Sequence, residues 1–103
     1  MGETVQGMDV SSHQPRDLSH LITGNQVQHV IVRMYLVDES PPQEHSLAQV
    51  ESARANGCTV GAYMWAFPSF EPRRSVQEAV VLARRCGMDP PPVLWIACED
   101  YLN

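Results

Sequence analysis

The stretch TVGAYMWAF, residues 59–67, decides the fold. It is apolar almost throughout and does not alternate, the pattern of a strand buried on both faces in a parallel sheet. PVLWIAC, residues 92–98, has the same character, and HVIVRMYL, residues 29–36, and TVQGMDVS, residues 4–11, supply two more strands. Helical segments lie between them. PRDLSHLITGN predicts a short helix from near Asp17 to Gly24. SPPQEHSLAQVESARANG has Ser40 as its N-cap, prolines just inside, Leu47, Val50 and Ala53 at helical spacing, and Gly57 just past its end. PRRSVQEAVVLARRCG offers Ser75 as cap, Glu78 as the partner in a capping box, Val76, Ala79, Val80 and Ala83 as one face, and Gly87 as the stop. The order is β-α-β-α-β-α-β, with corresponding points of the last three strands about 30 residues apart, one βα unit. An α/β fold of parallel βα units with right-handed crossovers follows. It has two continuations: a flavodoxin-like open sheet with helices on both faces, or a (βα)8 barrel.

Composition narrows the function. The 103 residues suffice for one domain with a modest core; hydrophobic content is 44% and charge 18%, as in globular proteins. A net charge of −5 argues against nucleic acid as a partner. The largest basic clusters, Arg73-Arg74 and Arg84-Arg85, read as the two ends of one helix. Cys58, Cys86 and Cys98 form no CxxC and have no histidine at ligand spacing, so neither zinc nor a disulfide framework is expected; Cys58 and Cys98 read as buried thiols. No signal peptide and no membrane span are legible, so a soluble protein is expected, cytoplasmic until released or exported by another route.

In a parallel sheet the chemistry sits at the carboxyl ends of strands. The first strand end presents Asp9, Ser11, Ser12, His13 and Gln14, and the fourth presents Glu99 and Asp100. There is no glycine-rich phosphate loop, so no nucleotide or other cofactor is expected. His13, His20, His29 and His45 form no metal-binding pattern and read as scattered surface or loop residues. Carboxylates and aromatics remain: Asp9 and Glu99, with Tyr35, Tyr63, Trp65, Phe67, Trp95 and Tyr101. Sugar rings dock on aromatic faces, and paired carboxyl groups cleave the bonds between them. Trp95 reads as core; Trp65 stays open between core and sugar contact.

The motifs GMDVSSHQ, HVIVRMY, GCTVGAYMWAF and PPVLWIACEDY resemble, in order and spacing, the first half of glycoside hydrolase family 25, lysozymes (N-acetylmuramidases) that include phage endolysins. The resemblance covers nearly the whole chain. It implies half of a TIM-type (β/α)8 barrel, with residues 1–103 forming a single half-barrel domain. It also implies a peptidoglycan-degrading hydrolase of the cell wall that needs no cofactor and binds neither nucleic acid nor membrane. On the matching positions, Asp9 and Glu99 are the catalytic pair, Glu99 as proton donor. Tyr63, Trp65, Arg33, Tyr35 and Phe67 are the substrate-binding residues. The family's D-x-E is here Ala97-Cys98-Glu99. Losing the neighbouring carboxylate lowers the acid's pKa and removes transition-state charge, so weak or no turnover is expected. The alternative is a non-catalytic half-barrel that only binds saccharide or assembles into a full barrel. The expected partner is then a second copy, as a homodimer, or another half-barrel.

Overall fold

The structure, a computed structural model, describes residues 6–35, 43–65, 71–88 and 94–97; Trp65, Pro72 and residues 94–97 are described by their backbone alone. The elements are β1 (Gly7–Val10), α1 (Ser19–Asn25), β2 (His29–Arg33), α2 (Glu44–Ala55), β3 (Thr59–Trp65), α3 (Pro72–Arg85) and β4 (Leu94–Ala97). All strand pairs are parallel and the sheet order is β1-β2-β3-β4. This order never reverses. A doubly wound, flavodoxin-like sheet needs a reversal to place helices on both faces, and the described sheet has none.

The core follows from that order. Register aligns Val10 with Val32 and Val32 with Ala62, so these share one face. That face, with Val30 and Met64, joins Ile22 of α1, Val50 and Ala53 of α2, and Ala79, Leu82 and Ala83 of α3 in a single buried cluster. All three helices therefore cover the same side. The other face carries Asp9, Ile31, Gly61, Arg33 and Tyr63, and no described element packs over it. β3 is thus not buried on both faces by helices: Met64 is buried, whereas Tyr63 is half-buried. The pattern is sharply specified. A one-residue slip of β2 would bring Arg33 into the core in place of Val32, losing about 1.5–3 kcal/mol of burial per valine and adding an unpaired charge.

The helix ends differ from the sequence expectation. α1 starts at Ser19, because the Asp17 carboxylate accepts from the Ser19 N–H (3.0 Å) and hydroxyl (2.6 Å) just ahead of it. It runs through Gly24 and stops at Gln26, whose φ of 54° is left-handed. A side chain in that region costs about 1–2 kcal/mol. Gln26→Gly is expected to stabilise the protein by about 0.5–1 kcal/mol after the added unfolded-state entropy, read as a raised urea midpoint.

Ser40, proposed as the cap of the second helix, lies outside the described residues; α2 begins at Glu44. α3 is capped by Glu71 rather than Ser75. The Glu71 carboxylate accepts from the N–H groups of Arg73 (3.1 Å) and Arg74 (2.7 Å), and Pro72 follows it. Proline's preset φ starts the helix early, leaving Ser75 one turn inside, where its hydroxyl donates to the Glu71 carbonyl at 2.9 Å. Glu78 is therefore no capping box; it pairs with Arg74 at 3.0 Å.

The arginine pairs do mark the two ends of this helix. At its far end Gly87 has a φ of +86°, and Arg54 of α2 reaches across to donate to the carbonyls of Cys86 (2.9 Å) and Gly87 (3.3 Å). A Cβ on Gly87 would come within 2.7 Å of that guanidinium. Cys58 and Cys86 are buried free thiols, and burial pushes Cys86 up to about 11; Cys98 lies outside the described residues. No helix among the described residues is long and apolar enough to cross a membrane.

Candidate functional site

The helix-free face of the sheet gathers the charged and aromatic side chains. Asp9 on β1, Arg33 on β2 and Tyr63 on β3 project from it, because strand alternation gives their valine and alanine neighbours to the helices. Asp9 is exposed, and Arg33 and Tyr63 are half-buried. The Arg33 guanidinium lies over the Tyr35 ring, 4.6 Å from its centroid, a cation–π stack that holds the charge on this face. Lower on the same face, the His29 imidazole bonds Thr59 and leans over Gly61.

Electrostatics confirm the grouping. The Tyr63 phenol is pushed up to about 12, first by burial, then by the negative charge of Asp9; Arg33 opposes the shift and Tyr35 adds to it. The neutral phenol is the form the fold prefers. Its contribution to stability is therefore complete below the ordinary tyrosine pKa of about 10 and is lost as pH rises towards 12. Tyrosinate absorbance should show one component titrating near 12 that Tyr63→Phe removes. Asp9→Asn should shift that component down and Arg33→Gln should shift it up. Insensitivity to both substitutions would mean that the three groups do not share a site.

The loop after β1 is held from within, by Tyr35 just after β2, and by α2. Gln14 closes it internally: its side-chain oxygen accepts from the Ser11 N–H at 2.8 Å, and its own N–H donates to the Ser11 carbonyl at 3.1 Å. The Tyr35 hydroxyl accepts from the Ser12 N–H at 2.7 Å. From α2, the fully buried Gln49 amide shares its two hydrogens among the carbonyls of Ser11 (2.8 Å), Gln14 (3.1 Å) and Pro15 (3.2 Å). His45 Nε2 lies 2.9 Å from the Gln14 carbonyl; a carbonyl can only accept, so this nitrogen carries the proton. Ser46, also fully buried, donates to the Arg33 carbonyl at 2.8 Å. These contacts fix the tips of β1 and β2, and with them Asp9 and Arg33.

Comparison with protein-family models, with curated proteins and with solved structures returns no match. The site is therefore read from its own geometry. The structure brings Asp9, Arg33, Tyr35 and Tyr63 together. Tyr35 differs from expectation, since it is only 2% exposed and occupied with Ser12 and Arg33; it supports the site instead of offering a ring to a ligand. Trp65 is placed by its backbone at the end of β3, paired in register with Ala97 of β4. Phe67 and Glu99 lie outside the described residues.

Gln49, Ser46 and His45 did not stand out in the sequence as functional. The signal was present, however. Ser46, Gln49, Val50 and Ala53 fall at helical spacing on the buried face of α2, and polar residues on such a face need partners. Among the described residues no group of histidine, cysteine and carboxylate side chains is arranged to hold a metal ion.

Proposed function

We propose that this chain is half of a (βα)8-type barrel of the glycoside hydrolase family 25 kind, and that its helix-free face is the saccharide side. The supporting observation is the coincidence of two features. An unreversed parallel order leaves one face free of helices, and that face carries Asp9, Arg33 and Tyr63. Barrels keep their helices outside and their chemistry at the carboxyl ends of the strands. The substrate proposed is peptidoglycan or a related polysaccharide, cleaved as by an N-acetylmuramidase. Glu99 donates a proton to the leaving oxygen as the glycosidic bond breaks, a water adds to the anomeric carbon, and Asp9 either stabilises the positive charge on the ring or takes the proton from that water. Arg33 and Tyr63 offer hydrogen bonds to sugar hydroxyls, and Trp65 and Phe67 are the proposed stacking surfaces.

Ala97 favours a second reading, a half-barrel that binds saccharide without cleaving it. Release of reducing sugar from peptidoglycan separates the two. Turnover abolished by Glu99→Gln marks a hydrolase. Silence from both proteins, with glycan binding that Tyr63→Ala removes, marks a binding module. Neither turnover nor binding would defeat both.

The proposed partner is a second copy or another half-barrel, meeting this one along the β1 and β4 edges of the sheet. Light scattering is expected to give a mass above that of one chain; a stable, dispersed monomer would count against pairing.

A further inference from the structure

The end of α2 carries the only asparagine–glycine pair in the chain, Asn56-Gly57, and both residues are exposed. Gly57 has no side chain to shield its backbone nitrogen. At its φ of +79° nothing lies within 4 Å of where a Cβ would stand. Hydrogen bonds hold both reacting groups. Asn56 Nδ2 donates to the Ser52 carbonyl at 2.8 Å and to the Ser19 hydroxyl at 3.2 Å, and the Gly57 N–H donates to the Arg54 carbonyl at 2.9 Å. A ψ of 11° at Asn56 also turns the Gly57 nitrogen away from the carboxamide. The two groups can meet only when the final turn of α2 opens, as helix ends do. The carboxamide is part of a latch between helices. The Ser19 hydroxyl donates to the Asp17 carboxylate at 2.6 Å, the Ser52 hydroxyl donates to the same oxygen at 3.3 Å, and the Leu18 N–H donates to the Ser52 hydroxyl oxygen at 2.8 Å. Asn56 thus ties the start of α1 to the end of α2.

We infer that Asn56 is a self-modification site: its carboxamide cyclises onto the Gly57 nitrogen and hydrolyses to a carboxylate, which unfastens α1 from α2. The Gly57 nitrogen gives its proton to solvent base and forms a bond to Asn56 Cγ. The Cγ–Nδ2 bond breaks, and that nitrogen takes up a proton and leaves as ammonia. Water then adds to either carbonyl of the succinimide and opens it to an aspartyl or an isoaspartyl residue. The product has no donor for the Ser52 carbonyl. Its charge meets the negative end of the α2 dipole. It also meets Asp17, whose hydrogen bonds from the Ser19 hydroxyl and N–H hold its carboxyl below the usual range and keep it ionised. One Ser19 hydroxyl cannot donate to both carboxylates. Asn25 is the internal control. It is exposed at the end of α1, and its Nδ2 donates to the Leu21 carbonyl at 2.9 Å, much as Asn56 donates to Ser52, but the next residue is Gln26. The inference does not rest on the saccharide reading, so either can fail alone.

Incubation at mildly alkaline pH, followed by peptide mass spectrometry, tests it. Asn56 is expected to convert from amide to acid at least about tenfold faster than Asn25, a barrier difference of about 1.4 kcal/mol. Ser19→Ala removes one acceptor of the carboxamide and should speed conversion of Asn56 about 2- to 10-fold, the weight of one hydrogen bond. Asn56→Asp reproduces the aspartyl product and should raise hydrogen exchange of the Leu18 and Ser19 amides about threefold or more. Equal conversion of Asn56 and Asn25, no acceleration in Ser19→Ala, or exchange in Asn56→Asp that matches wild type would overturn the inference.

Discussion

Gln49→Glu is expected to destabilise the protein by about 3–5 kcal/mol at neutral pH, a large part of the stability of a domain this size. Gln49 is fully buried, and its amide faces the carbonyls of Ser11, Gln14 and Pro15. A carboxylate there would face the three carbonyl oxygens, losing those hydrogen bonds, with His45 Nε2, 3.3 Å from the amide nitrogen and already turned to the Gln14 carbonyl, as the donor beside it. The sign of the pH dependence follows. Burial and the facing oxygens raise the new carboxyl's pKa in the fold, so its protonated form is the one tolerated. The deficit against wild type should be smallest near the ordinary glutamate pKa of about 4.3 and widen as pH rises to 7. Urea unfolding at both pH values measures it. Gln49→Met, which loses the donors without adding charge, should cost about 1–3 kcal/mol at either pH. A Gln49→Glu protein as stable as wild type at pH 7 would show that the amide does not clamp this loop.

Ala97→Asp is expected to raise peptidoglycan turnover by about 100-fold or more over a wild-type rate near the blank. Ala97 stands two residues before Glu99, and an aspartate there restores the D-x-E spacing of the resembled family. Like-charge repulsion would raise the pKa of Glu99 towards the working pH, where a general acid is most effective. The same carboxylate would also stabilise positive charge developing on the sugar ring. The pH–rate profile should fall on its alkaline side as Glu99 loses its proton, and Glu99→Gln should abolish the rate. Ala97→Asp without any gain, in a protein that binds glycan, would leave only the binding reading.

The order of strands and helices was legible because periodicity reports burial, which Val30, Val32, Ala62 and Met64 show on the helix-covered face. The termini of helices were less legible. Ser75 and Glu78 make a good capping box in one dimension, but Glu71-Pro72 starts the helix one turn earlier. Gly24 is a good stop, yet Gln26 takes the left-handed turn because its N–H reaches the carbonyls of Ile22 and Thr23. Capping is a competition among neighbours worth about 1 kcal/mol each, too small for a pattern to settle. Of the candidate site, the residue types Asp9, Arg33 and Tyr63 were legible at strand ends. The roles of Tyr35, His45, Ser46 and Gln49 were not, because their partners lie far away in sequence.

By itself the amino-acid sequence determined the class: parallel βα units with one helix per crossover. Only the tertiary structure decided which face Asp9, Arg33 and Tyr63 share. Alternation assigns side chains to two sides of a strand, but both continuations of the pattern use the same alternation. The unreversed order β1-β2-β3-β4 sends all three helices to one side and leaves Asp9, Arg33 and Tyr63 together on the other. Strand order is set by pairing between segments about 30 residues apart, and no local signal carries that information.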